Sequence, residues 1–294
     1  VMELLSVEGE FLTLKAQALD PPHLSEWLQS LSATCQNTLR EALQVVMEDA
    51  SDMAPAEMIQ AWLGMTGVRN DALPVSLPGQ VLLLAQAVQW SHCVETVLPS
   101  HARSTDTSLQ GDSNPAMAVK AALESSWWNT QQVIELLKWC PKGQCIDTAV
   151  QRAVVGAALL QLLRQHHVLE TLTTGRDHTP LSTSFEWQRY LRMQWDVESK
   201  RALARLLDWS VDYGYEFIGA SPRLVVTPET ERNYVGLVGG LRSQMAIAIG
   251  GPSGAGKAET VRELARLAAI PVLEINCAAS WDTTSAARVF GGLA

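Results

Sequence analysis

The chain has 294 residues, 47% of them apolar and 18% charged, with 13 Pro, 19 Gly and a formal charge of −9. That composition excludes disordered, collagenous and low-complexity chains and is long enough for about two domains. The longest apolar run, residues 153–163, is broken by Gly156 and Gln161 and falls short of the roughly 20 residues that cross a hydrocarbon core, so no membrane span is expected. Val1, Met2 and Glu3 open the chain without the basic stretch and apolar core of a signal peptide. Cys35, Cys93, Cys140, Cys145 and Cys277 are odd in number and lack CxxC spacing, which favours a reducing compartment and no structural zinc.

Charge and glycine divide the chain near residue 220. Residues 220–294 carry seven Lys/Arg against six Asp/Glu, a net +1, which leaves −10 on the first 219. An acidic surface repels phosphate backbones, so nucleic acid is not expected as a partner. Nine of the 19 glycines lie beyond residue 220, and nine of the ten tryptophans lie before it.

Residues 1–219 read as successive amphipathic helices. After Pro21 and Pro22, the positions Leu24, Trp27, Leu28, Leu31, Leu39, Leu43, Val46 and Met47 recur at three and four residues until Asp49 to Asp52 end the pattern. Pro55 opens a short helix that Gly64 closes, and Pro78 opens another carrying Val81, Leu84, Ala85, Val88 and Val97 before Pro99. A Ser/Thr/Asp/Gly loop over 100–114 precedes two longer helices, 115–139 and 147–168, parted by Pro141 and Gly143. The expectation is an all-helical rod or bundle without a fixed repeat. His166 and His167 point about 100° apart on a helix and cannot share a metal face. Trp127 and Trp128 are read as core packing.

The period changes further on. Met245, Ile247 and Ile249 belong to a five-residue apolar run that glycines follow, which suits a buried parallel strand. The loop Gly250, Gly251, Pro252, Ser253, Gly254, Ala255, Gly256, Lys257 follows, then a helical pattern through Val261, Leu264 and Leu267, then a second apolar run over 271–275. Gly251, Gly256 and Lys257 satisfy G-x-x-x-x-G-K in the strand, loop, helix, strand context of a phosphate-binding loop. Such glycines let backbone N–H groups converge on phosphates at a helix N-terminus, and the lysine adds a point charge. The Ser or Thr that ordinarily follows the lysine to hold Mg²⁺ is here Ala258, beside Glu259. Thr260 stands about 200° around the helix from Ala258 and cannot replace it. The residues alone describe a nucleotide site that binds more readily than it hydrolyses.

Beyond the loop, a longer set of residues resembles dynein heavy chains where the linker enters the first AAA+ module. It comprises Tyr213, Gly214, Tyr215, Glu216, Phe217, Ile218 and Gly219; then Pro222, Arg223, Leu224, Val225, Val226, Thr227, Pro228, Thr230 and Arg232; then residues 251–260, Pro271, Val272, Asn276 and Cys277. Upstream, Phe185, Trp187, Leu191, Arg192, Trp195 and Asp196 are similar to the end of that linker, and Pro78, Gly79, Gln80, Val81, Trp90, Val94 and Glu95 to its middle. Ala255 and Ala258 replace the family's usual threonines, and Met193 and Gln194 its aromatics.

The resemblance implies a mainly α linker over 1–219 followed by a partial α/β P-loop module over 220–294. It implies a microtubule motor whose linker acts as a lever driven by ATP turnover in a six-module ring, with a coiled-coil stalk and further modules downstream of this stretch. ATP or ADP would lie on Gly251, Pro252, Ser253, Gly254, Ala255, Gly256, Lys257, Ala258 and Glu259, with Leu224, Val225 and Val226 over the adenine; those three equally suit a connector strand buried for stability. Mg²⁺ lacks its usual side-chain ligand at Ala258. Implied partners are microtubules, dynein intermediate and light chains and other heavy chains, in the cytoplasm and cytoskeleton, with the ciliary axoneme favoured. Two other readings remain open at this level: a nucleotide-binding but hydrolysis-deficient dynein-like subunit, and an unrelated P-loop NTPase with a helical N-terminal domain.

Overall fold

The computed structural model describes residues 2–14, 23–65, 73, 77–97, 115–139, 148–174, 184–219, 223–277 and 281–293. A hairpin comes first, β1 (Met2–Leu5) paired antiparallel with β2 (Phe11–Leu14). Five helices follow: α1 (Leu24–Asp49), α2 (Pro55–Trp62), α3 (Gly79–Val97), α4 (Pro115–Trp139) and α5 (Ala149–Thr174). Their positions match the apolar periodicity, and α4 has the expected bounds. The proline- and glycine-rich breaks at 21–22, 98–114 and 140–147, with Cys140 and Cys145, lie outside the described residues.

The all-helical expectation for 1–219 needs correction. A one-turn α6 (Phe185–Gln188) leads into an antiparallel sheet of β3 (Arg192–Asp196), β4 (Arg201–Leu206) and β5 (Trp209–Asp212), in the order β3-β4-β5. Ala202, Ala204 and Leu206 alternate into the core along β4, a two-residue period too short to stand out against the long helical stretches before it. The sheet packs on α3 through β3.

Beyond the sheet lie α7 (Pro228–Arg242), α8 (Lys257–Leu267) and α9 (Thr283–Leu293). The helical pattern anticipated α8 but not α7 or α9. The runs 245–249 and 271–275, expected as parallel strands, form no ladder with any described segment. A strand exists only through bonds to a neighbour, and apolar character alone does not supply one. Met245 and Leu273 are accordingly exposed.

One apolar cluster runs through most of these elements. Leu39 and Leu43 of α1, Met58 and Ile59 of α2, Leu82 and Ala85 of α3, Val155 and Ala158 of α5, and Leu206 of β4 are all fully or almost fully buried in it. Tyr213, Tyr215, Tyr234 and Leu264 belong to the same cluster, so it continues unbroken from the helical part to α8. Buried Gln80 fastens the start of α3 to this region. Its amide donates to Tyr213 Oη (3.0 Å) and the Glu216 carbonyl (2.8 Å) and accepts from the Ile218 N–H (2.9 Å).

Candidate nucleotide site

The loop before α8 is built by backbone conformation. Gly254 (φ +79°) and Gly256 (φ +75°) occupy the left-handed region that costs other residues about 1–2 kcal/mol, and Gly256 is the N-cap residue. No side chain caps α8. The first bond of the helix is Thr260 N–H to the Gly256 carbonyl at 2.9 Å. A helix N-terminus with open N–H groups and a positive dipole end receives an anion without further preparation.

Lys257 turns back over this loop and donates to the carbonyls of Gly251 (2.9 Å) and Pro252 (2.5 Å). Its ammonium therefore lies across the loop that the glycines shape. The Ala258 methyl is exposed and carries no oxygen. Thr260 is buried and its hydroxyl donates to the Gly256 carbonyl at 2.9 Å, which places it where the helical geometry requires and away from position 258. Glu259 is engaged by Arg262, which also binds Glu274 (2.5 and 2.9 Å) and ties the outer face of α8 to residues 271–275.

Leu224, Val225 and Val226 are placed elsewhere. They line a cavity of about 300 Å³ together with residues of α3, α5, α6, α7, α8 and β3, Leu160 and Val168 of α5 among them. Residues 250–258 do not line it. The phosphate loop and the apolar segment are thus joined through α8, whose Glu263 and Leu267 reach the cavity.

Sequence reasoning missed the charges in that cavity. Arg223 Nε stands 2.9 Å from Glu263 Oε1, and Arg164 Nη2 3.2 Å from Glu231 Oε1. Glu263 is only 2% exposed, and Arg266 lies 3.7 Å from its other oxygen. Burial pushes the Tyr234 phenol up to about 12, with the Glu263 charge adding to the effect. Helix α7 itself had a legible signal: Thr227 accepts from the Thr230 N–H (3.3 Å), Pro228 follows it, and Glu229 and Glu231 fill the first turn.

Two other expectations change. Trp127 and Trp128 are 48% and 65% exposed, not core. Trp127 lies against the His166 ring at 5.2 Å, while His167 faces Glu170 at 3.8 Å. Among the described residues no helix is long and apolar enough to cross a membrane.

Residues 213–294 match the family model described as the hydrolytic ATP binding site of the dynein motor region. Human dynein axonemal heavy chain 6 is 27% identical over the whole of this chain, which covers 6% of that relative. The cytoplasmic dynein 2 heavy chain 1 of Tripneustes gratilla is 28% identical, again over the whole chain and 6% of the relative. Mouse dynein axonemal heavy chain 17 is 41% identical over 38% of the chain and 2% of its own length. The chain thus spans a small part of the curated relatives it matches. Over its whole length the chain is similar to dynein heavy chains, and its residues 213–294 match the ATP-binding region of the dynein motor.

Proposed function

We propose that this chain is the joint at which the lever arm of a dynein heavy chain enters its first ATPase module, with residues 1–219 as arm and 220–294 as the opening of the module. Gly251, Pro252, Ser253, Gly254, Ala255 and Gly256 wrap the phosphates of ATP or ADP with backbone N–H groups, joined by those of Ala258 and Glu259. Lys257 turns from its loop carbonyls to the β- and γ-oxygens. Leu224, Val225 and Val226 line a cavity that residues 250–258 do not, so of their two expected roles the connector is the one adopted here. The observation that carries this reading is the uncapped N-terminus of α8 behind two left-handed glycines, inside the stretch that the motor-region model matches.

Mg²⁺ does not fit the donor set at the start of α8. Ala258 offers no oxygen and the Thr260 hydroxyl is spent on the Gly256 carbonyl. No step is assigned to the metal, and this site is read as binding nucleotide better than it hydrolyses it. Microtubules, dynein intermediate and light chains and other heavy chains are partners of the whole heavy chain in this reading, in the cytoskeleton and at the ciliary axoneme. Axonemal relatives support that location.

The test is a titration of a fluorescent ATP analogue into a heavy chain complete through its ring, with the arm-to-ring distance followed by energy transfer. Saturable binding with a nucleotide-dependent distance is expected. Binding with a static arm would favour the structural subunit, and absence of binding would overturn the site.

A further inference from the structure

Helix α5 meets the nucleotide-binding part through a shielded charge pair. Arg164 places Nη2 at 3.2 Å and Nε at 3.4 Å from Glu231 Oε1, with the two side chains only 14% and 15% exposed. The guanidinium also lies over the Tyr190 ring, 4.7 Å from its centroid. Tyr190 is itself held edge-on by Trp90 (5.1 Å) and stacked with Trp187 (6.1 Å). The arginine is therefore presented in a fixed orientation by an aromatic group drawn from α3 and the α6 turn.

Glu231 lies in the first turn of α7, immediately after the connector that carries Arg223. Arg223 reaches Glu263 in the middle of α8, and α8 begins at Lys257. Arg164, Glu231, Arg223 and Glu263 all line the same cavity of about 300 Å³. Two shielded pairs thus form a continuous chain from the phosphate loop through α8, the connector and α7 to α5. Pairs this sheltered resist separation, because parting them leaves a charge without a partner away from bulk water. The cavity between them leaves room for the elements to shift relative to one another while the pairs stay closed.

We propose that Arg164 and Glu231 are positioning residues that convey the nucleotide state of the phosphate loop to α5, with Arg223 and Glu263 as the link through α8. This rests on the reading of residues 1–219 as an arm that nucleotide moves. Neither Arg164 nor Glu231 belongs to the phosphate loop, and both line the cavity beside Leu224, Val225 and Val226. They act through α7 and the connector.

The test uses a complete heavy chain labelled for arm-to-ring energy transfer, with ATP-analogue binding measured on the same preparations. Arg164→Met is expected to keep nucleotide affinity within about twofold of wild type while the ATP-dependent distance change falls at least threefold. Glu231→Gln, nearly isosteric, is expected to do the same and decides the matter if Arg164→Met fails to fold. The exchanged pair, Arg164→Glu with Glu231→Arg, is expected to recover most of the change. A merely structural contact would lower the unfolding midpoint and leave the ATP-dependent distance change at its wild-type size, which overturns the proposal, as does an exchanged pair that recovers nothing. A wild-type arm that does not respond to ATP would instead overturn the lever reading itself.

Discussion

The Gly214 N–H donates to the Ala268 carbonyl at 2.9 Å, and a Cβ built on Gly214 would stand 2.2 Å from the Ala269 carbonyl oxygen. The end of the β3-β4-β5 sheet is thereby fastened to the last turn of α8, backbone against backbone. Nothing flexible lies in the way of that Cβ, so one of the two segments must move. Gly214→Ala should destabilise the fold by about 1–3 kcal/mol, the usual cost of overpacking. Urea unfolding should show a lower midpoint with an unchanged slope, and an unchanged midpoint would contradict the contact.

Glu10 is 5% exposed, and its Oε1 accepts from the Gly79 N–H at 2.6 Å. Burial pushes its carboxyl above the ordinary 4.5 by more than this bond pulls it down, and neighbouring Glu8 adds to the rise. Between 4.5 and the raised value, the folded chain binds more proton than the unfolded one. Stability should therefore decline as pH climbs through that window and level off above it. Glu10→Gln should remove this part of the slope in urea midpoints taken from roughly pH 4 to pH 7. An identical slope in the variant would mean that Glu10 is not its source.

Helix α7 ends with Met245 N–H bonded to the Gly240 carbonyl (3.0 Å) and Gln244 N–H to the Leu241 carbonyl (3.1 Å), the pattern that places one residue in the left-handed region. That residue is Gln244, exposed and at φ +53°. Gln244→Gly relieves the Cβ strain without removing a buried contact. A gain of about 0.5–1 kcal/mol is expected, visible as a higher thermal midpoint.

Ala258→Thr probes the missing hydroxyl. In the proposed site backbone donors and Lys257 would hold the triphosphate without an oxygen at 258, whereas transfer of the phosphoryl group demands fixed charge around it. Threonine at the start of a helix costs below about 0.7 kcal/mol. In a complete ring, single-turnover hydrolysis by the first module should rise more than its nucleotide affinity. A threonine variant that hydrolyses no faster, beside a wild type already turning over rapidly, would refute the binder reading.

The helices were legible because long amphipathic stretches repeat their signal many times: Leu39, Leu43 and Val46 face the core as their spacing requires. The turn before α8 was legible because Gly254 and Gly256 are determined by local backbone needs. The β3-β4-β5 sheet was not, since strands of four to six residues show at most three inward positions, and Leu203 blurs the alternation on β4. Runs 245–249 and 271–275 were overread, because apolar residues permit a strand but the ladder depends on a partner. The pair Arg164 and Glu231 was invisible for a different reason. The two lie 67 positions apart, and only the tertiary fold brings them together.

Equilibrium binding of ATP to Lys257→Ala, beside wild type in a complete heavy chain, tests the central claim most directly. The Lys257 ammonium sits on the Gly251 and Pro252 carbonyls, from where it can pass to a phosphate oxygen. Loss of that charge-assisted contact should weaken binding at the first site by about 1.5–3 kcal/mol, or roughly 10- to 150-fold. An affinity equal to wild type would show that the loop before α8 is a structural turn and that nucleotide is bound elsewhere.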